Sequence, residues 1–277
     1  MKTILLATDF SDASVGACEY GLKLADYLNA KVILFSAYHT ISPAGFDTPA
    51  FLDIQDIKQN VDRQLLDQAR SLDDTRRQDF YTDSLEGPVV QTILRKIKES
   101  KAELLVVGMK HDHKKLRKII GSTVTGLIKD LPVPMIVVPE GTKFQKIESI
   151  AVAVQADIGG DVNPRQIEIL NEIGSRFNAR AFIVKVSRNK TEEAFALLYQ
   201  PNRLSKLLRT TNPLFESISD SDSGEGLLKF VQNNHIDLLG LFPHDHSIFE
   251  SLAHTSFTRR MIYEANLPLI IFPKQVL

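Results

Sequence analysis

The sequence predicts an α/β fold built as two copies of one small domain. Short apolar runs alternate with amphipathic segments of helical length along the whole chain. The runs lack the polar alternation of half-exposed strands, which favours open, mostly parallel sheets covered by helices on both faces. The end of the first half also recurs 134 residues later. A recurrence of this kind indicates a duplicated unit.

The first half contains five predicted strands separated by helices. Ser11 and Asp12 are capping residues at the start of the first helix. The predicted strands are 4–7, 31–37, 80–82, 104–107 and 135–138, and the predicted helices are 11–28, 51–72, 87–100 and 122–131.

The second half repeats this order of elements. Its predicted strands are 150–154, 181–186, 214–218, 238–241 and 269–272, and its predicted helices are 164–177, 190–208, 224–234 and 256–265. The sequence therefore predicts two five-stranded sheets of similar design.

Paired prolines provide the sharpest evidence for the duplication. An offset of 134 places Pro134 on Pro268 and Pro139 on Pro273, and each pair brackets a four-residue apolar run. A polar stretch separates the halves. We therefore expect one domain over residues 1–141 and a second over residues 147–277.

Composition restricts the classes of function. The 277 residues carry 33 Lys and Arg against 34 Asp and Glu, a formal net charge of −1. This balance argues against a broad nucleic-acid-binding surface. The one cysteine, Cys18, cannot form an internal disulfide, fits a reducing compartment and is expected to be a core residue. With no apolar stretch of roughly 20 residues, the chain is expected to be cytoplasmic and to have no membrane partner.

The segment after the fourth predicted strand is the strongest candidate for a ligand site. Gly108 ends the apolar run, a basic loop follows, and Gly121-Ser122-Thr123 opens the next helix. Free N–H groups at a helix start favour an anion, and hydroxyls add donors. This loop lies beyond the carboxyl end of a strand, where ligands of open α/β sheets bind.

Here the sequence resembles the nucleotide-binding branch of the universal stress protein family. The phosphate loop of that family reads Gly, two residues, Gly, nine residues, then Gly and Ser or Thr. Gly108, His111 and Gly121-Ser122 have the same spacing, with histidine replacing the second glycine. The resemblance implies an adenine nucleotide alpha hydrolase-like, or Rossmann-like, fold.

The resemblance also implies further site residues and an assembly. Ala7-Thr8-Asp9 stands where the family contacts adenine and ribose, and Ala37 ends the second predicted strand. The ligand implied is ATP, ADP or AMP, with Mg²⁺ as a companion and slow or absent hydrolysis. Family members pair through their last strands, so 135–138 and 269–272 are expected to pair as an internal pseudo-dimer. A further homodimer and an unknown protein partner stay open.

Departures from the family pattern bear on nucleotide binding differently in the two halves. They leave two interpretations open for the first half and argue against binding in the second. His111 either faces the phosphates as a donor or marks a loop that has lost nucleotide affinity. The second half is predicted to bind no ATP. In it, Phe242, Asp245, Thr255 and Phe257 replace Gly108, His111, Gly121 and Thr123, and the first turn reads Val154-Gln155-Ala156-Asp157.

The residues after the first predicted strand argue against two other classes of α/β protein. An ATP-using α/β enzyme would need a glycine-rich loop after the first strand, and a phosphorelay receiver would need an adjacent acidic pair. Neither is present at Thr8–Asp12.

The His-Asp-His tripeptides at His111–His113 and His244–His246 could ligate zinc, but no further cluster lies nearby in sequence, so no metal site is predicted. Phe242, Phe249 and Phe257 either line an apolar ligand pocket or fill the vacated space.

Overall fold

A computed structural model of the chain describes most of both halves. The described residues are 2–39, 54–73, 79–110, 122–154, 164–187, 208, 213–219, 223–242 and 257–273. The strands are β1 (Thr3–Ala7), β2 (Lys31–Tyr38), β3 (Phe80–Glu86), β4 (Leu104–Met109), β5 (Met135–Pro139), β6 (Ser149–Val154), β7 (Arg180–Ser187), β8 (Leu214–Ser219), β9 (Leu238–Leu241) and β10 (Leu269–Ile271). The helices are α1 (Asp12–Leu28), α2 (Ile54–Leu72), α3 (Val89–Ser100), α4 (Ser122–Asp130), α5 (Pro164–Phe177), α6 (Ser223–Asn233) and α7 (Phe257–Glu264).

The strands form one continuous sheet of ten, in the order β3-β2-β1-β4-β5-β10-β9-β6-β7-β8. Each half has the order 3-2-1-4-5 when read from its outer edge. All pairs within a half are parallel, and β5 and β10 are antiparallel. The predicted α/β fold class is confirmed, and the two predicted sheets join into one.

The β5–β10 pair lies on an approximate two-fold axis. Ile136 pairs with Ile270, and the flanking pairs follow in antiparallel order. These two isoleucines are also equivalent at the sequence offset of 134. The predicted internal pairing of the last strands is therefore confirmed.

Two apolar layers cover the sheet. Ile4 and Leu6 of β1 belong to one buried cluster, and Leu5 between them belongs to the other. Alternate residues of a strand point to opposite faces, so both faces of β1 are buried. Across the described ranges, no helix combines the length and apolar character needed to span a membrane.

Helix α1 has well-defined ends. The Ser11 side chain accepts the backbone N–H of Ser14, and Asn29 adopts a left-handed conformation with φ of 50° beyond the last turn. Both are standard capping devices. The Cys18 thiol is buried on this helix, as predicted, and burial raises its pKa well above the ordinary value.

Aromatic side chains join the two halves beside the sheet. Phe144, in the connection between halves, lies with its ring centroid 5.0 Å from that of Tyr20, 5.7 Å from that of Tyr27 and 6.1 Å from that of Phe177. Tyr20 and Tyr27 belong to α1, and Phe177 ends α5. The connection therefore packs between a helix of each half.

Two strands, β3 and β4, extend by two or more residues beyond their predicted ends. β3 runs to Glu86 although its second part is polar, because it pairs with β2 along its length. β4 continues through Gly108 to Met109, so Gly108 lies within the strand and pairs with Val138. The predicted helix 190–208 lies outside the described residues except for Leu208.

Candidate nucleotide site

The carboxyl ends of β1 and β4 define the candidate site of the first half. These strands are neighbours, and β1 also pairs with β2 on its other side. The chain leaves β1 toward β2 and leaves β4 toward β5, so the strand order reverses between them. Open α/β sheets bind ligands in the crevice at this switch point.

Thr8 is the centre of the turn after β1. Its side chain is buried, and its hydroxyl accepts the N–H of Phe10 at 3.0 Å. The same oxygen lies 3.0 Å from Oε1 of Gln68 and 3.1 Å from Oγ of Ser14. Thr8 therefore links β1, the start of α1 and α2.

Asp9 presents its carboxylate to solvent at the start of α1. Oδ1 of Asp9 accepts the N–H of Ser11 at 3.1 Å and the Ser11 hydroxyl at 2.5 Å. Partial burial by itself raises the pKa of Asp9, but hydrogen bonds from Ser11 and Ser14 outweigh it and hold the pKa below its ordinary value. The carboxylate is therefore charged at neutral pH.

Phe10 has an unusual backbone. Its φ is 62°, in the left-handed region that a bulky side chain rarely adopts. Such strain persists only where neighbouring contacts hold it, and the hydrogen bond to Thr8 is one of these contacts.

Gly108 is required by packing. A Cβ on Gly108 would lie 2.3 Å from the carbonyl oxygen of Ala13 and 2.8 Å from Cα of Ser14. The first turn of α1 therefore lies directly against β4 at this position. The sequence interpretation, that the glycine admits a phosphate, stays a prediction beside this structural role.

The remaining predicted site residues are only partly described. Ala7 and Ala37 are half-buried at the carboxyl ends of the neighbouring strands β1 and β2, and both pack against the same apolar cluster. Ser122 is exposed and Thr123 half-buried in the first turn of α4. His111 and Gly121 lie outside the described residues, as do both His-Asp-His tripeptides. The part of the chain that is described contains no group of three or more potential metal ligands.

The second half has different chemistry at the equivalent crevice. β1 pairs Ile4 with Leu104, and β6 pairs Ile150 with Leu238. This register places Val154 where the first half has Thr8. Val154 is buried in an apolar cluster.

An aromatic pair fills the position of Gly108 in that half. The Phe242 ring stacks on the Phe272 ring with centroids 4.5 Å apart and an interplanar angle of 15°. This contact favours the interpretation of Phe242 as a space-filling residue. The Phe249 position, the Phe257 side chain and the turn after Val154 lie outside the described residues.

Gln68 and Ser14 contact the site but were not predicted from the sequence. The spacing of Ser11 and Ser14 matches the first turn of a capped helix, so Ser14 had a local signal. Gln68 had none, because it follows Thr8 by 60 residues and is one of many polar residues on α2.

The fold and the site define an α/β protein with a crevice at the switch point of its first half. A family profile, the universal stress protein family, matches residues 1–139. That match spans half of the chain, so the protein belongs to the universal stress protein family. No curated protein matches significantly.

Solved structures with the same fold are similar to this chain over both of its halves. A universal stress protein from Archaeoglobus fulgidus DSM 4304 is similar with a TM-score of 0.72 and 14% identity, covering 98% of each chain. A protein of unknown function from Pseudomonas aeruginosa PAO1 has a TM-score of 0.57 and 10% identity, covering 99% of this chain and 93% of that one. The cytoplasmic domain of a prokaryotic cation chloride cotransporter has a TM-score of 0.56 and 10% identity, covering 99% and 95%. At these identities the likeness shows the fold.

Proposed function

We propose that this chain is a stress-response protein that binds one adenine nucleotide in its first half without rapid catalysis. The crevice between β1 and β4 carries the proposal, because it brings the charged Asp9 to the end of β1 and lies at the switch point of the sheet. The second half is proposed to bind no nucleotide.

Asp9, the two alanines and the start of α4 each have a chemical role in this proposal. The Asp9 carboxylate accepts hydrogen bonds from the ribose hydroxyls or the adenine amino group. Ala7 and Ala37 provide small apolar contacts for the base. The first-turn N–H groups of α4, with the Ser122 and Thr123 hydroxyls, donate to the phosphates. Mg²⁺ would neutralise part of the phosphate charge when it accompanies ATP.

The electrostatics of Asp9 support binding over catalysis. Its pKa is held below the ordinary value by the serine hydrogen bonds. A general base works best when its pKa lies near the operating pH. Asp9 is therefore a weak base at neutral pH and a good acceptor for ligand hydroxyls.

Calorimetric titration tests the proposal directly. ATP, ADP and AMP are titrated with Mg²⁺ into the wild type, Asp9→Ala and Gly121→Asp, with exposed Asp130→Asn as the matched control. We expect one nucleotide to bind per wild-type chain. The affinity should fall about tenfold or more in both site variants and should not change in the control. Two nucleotides per chain would contradict the assignment of the second half.

The remaining outcomes separate the alternatives. Multiple turnovers of ATP by the wild type, lost in Asp9→Ala, would establish an ATP-using enzyme instead. Absence of binding of all three nucleotides would mean that the loop containing His111 is degenerate and the chain acts as a scaffold. A cytoplasmic location and association through other surfaces remain part of the proposal, and fractionation and light scattering test them.

A further inference from the structure

We propose that Gln68 is a positioning residue for the candidate site, whose side-chain amide donates to Thr8 and holds the Asp9–Phe10 turn. The inference concerns how α2 controls the turn. Its ligand-binding consequence rests on the proposed function, whereas its structural part does not.

The argument starts from the single proton of each hydroxyl. Oγ of Ser14 donates to the carbonyl oxygen of Ser11 at 2.9 Å, so its proton is committed. Oγ1 of Thr8 lies 3.1 Å from Oγ of Ser14. Because a hydroxyl has one proton, Thr8 is the donor of this bond while Ser14 donates to Ser11.

If Oε1 of Gln68 faces Thr8 at 3.0 Å, the Thr8 hydroxyl would have to donate to both Gln68 and Ser14, although it has only one proton. In that orientation, the buried Nε2 of Gln68 makes no hydrogen bond of ordinary geometry among the described residues, although it interacts with the Cys18 thiol, a weak acceptor. A buried amide donor without a partner is costly.

Rotating the Gln68 amide by half a turn removes the double demand on the Thr8 proton and gives Nε2 an acceptor. Oε1 then takes the buried position that has no ordinary hydrogen bond among the described residues. The oxygen and nitrogen of a glutamine amide have nearly the same shape, so Nε2 then occupies the position 3.0 Å from Thr8. Donation now runs in one direction, from Gln68 to Thr8 to Ser14 to the carbonyl of Ser11. Each hydroxyl donates once.

This chain of hydrogen bonds holds the backbone of the turn. Oγ1 of Thr8 uses its second lone pair to accept the N–H of Phe10 at 3.0 Å, and Oγ of Ser14 accepts the N–H of Asp9 at 3.3 Å. Phe10 needs such support because its φ is 62°. Gln68 therefore orients the residue that would contact the nucleotide without touching the ligand.

Hydrogen exchange measured by NMR tests the structural part. Gln68→Met keeps the length of the side chain and removes its donor, and Thr8→Val removes the hydroxyl. We expect about tenfold faster exchange of the Asp9 and Phe10 amides in both variants, with amides of β2 unchanged. Thr8→Ser should keep the protection. Gln64→Met, on an exposed position one turn earlier on α2, is the matched control.

Two further variants test the donor and the coupling. Gln68→Glu retains only acceptor oxygens once its carboxyl is ionised. Its exchange rate, corrected for the intrinsic pH dependence, should therefore rise to that of Gln68→Met between about pH 6 and pH 10. If the variant keeps the wild-type protection over this whole range, an acceptor faces Thr8 and the proposed direction of donation is wrong. The double variant Thr8→Val/Gln68→Met should exchange no faster than either single variant.

Nucleotide titration tests the consequence for binding. We expect about tenfold weaker ATP binding in Gln68→Met and no change in Gln64→Met. Unchanged exchange in Gln68→Met, or equal acceleration in Gln64→Met, would overturn the positioning role. If the wild type binds no nucleotide, the proposed function fails, and the exchange rates still decide whether Gln68 holds the turn.

Discussion

The two switch points of the sheet have the same topology and opposite chemistry. In the first half, Thr8 links three elements through its hydroxyl, and Gly108 admits the backbone of α1. In the second half, Val154 is buried among apolar residues and Phe242 stacks on a neighbouring ring. Strand order therefore places a crevice in both halves, whereas individual side chains decide whether it is polar.

The first helix of each half ends in the same way. Both helices are followed by a left-handed asparagine, Asn29 after α1 and Asn178 after α5. At its start, α1 carries Ser14 to Thr8 and lies against Gly108.

The largest expected effect comes from breaking this close approach. Gly108→Ala should lower the free energy of unfolding by about 3 kcal/mol or more, because the new methyl group would meet the backbone of Ala13 at 2.3 Å. Urea denaturation measures the change. Gly16→Ala is the control, since a Cβ there meets nothing within 4 Å and should stabilise α1 by about 0.5–1 kcal/mol. Equal effects of both variants would refute the packing role.

The contact between halves is the next most sensitive point. Phe144→Ala removes a half-buried ring that packs on Tyr20, Tyr27 and Phe177, and should cost about 2 kcal/mol. Exposed Gln145→Ala should cost little. Thermal unfolding followed by calorimetry measures both, and equal midpoints would mean that the aromatic contacts contribute nothing.

Substitution of Val154, at the switch point of the second half, tests the comparison further. Val154→Thr introduces a hydroxyl into an apolar cluster and should cost about 1 kcal/mol. Val154→Ala serves as a volume reference, because it removes atoms without adding a polar group. If urea denaturation shows Val154→Thr to be as stable as the wild type, the second half already contains a partner for a hydroxyl at that position.

The smallest expected effect concerns pH. Because the folded-state pKa of Asp9 is lowered, its stabilisation is fully present above the unfolded value of about 4 and is lost as pH falls through the folded value. Asp9→Asn should therefore lose less stability than the wild type as pH falls below about 4. Asp130→Asn, changed at an exposed position, should follow the wild type. Parallel curves for wild type and Asp9→Asn would show that the serine hydrogen bonds do not depend on the charge.

Much of the fold followed from local patterns. Buried strands such as β9 and helices such as α5 have the predicted bounds, because their apolar spacing is set by the period of the element itself. β3 was predicted too short, since its second part is polar and its strand conformation depends on pairing with β2. Gly108 was recognised as special, but the helix that requires it could not be inferred from its neighbours.

The sequence by itself determined the α/β class and the duplicated order of elements. Periodicity and the offset of 134 residues are one-dimensional properties, and they carry this information without coordinates. The pairing of the last strands was implied by the resemblance to the universal stress protein family. Tertiary structure decided that Gln68 meets Thr8, that α1 lies against Gly108, and that Phe242 stacks on Phe272. These contacts join residues distant in sequence, and such contacts are selected by the packing of whole elements, which no local pattern records.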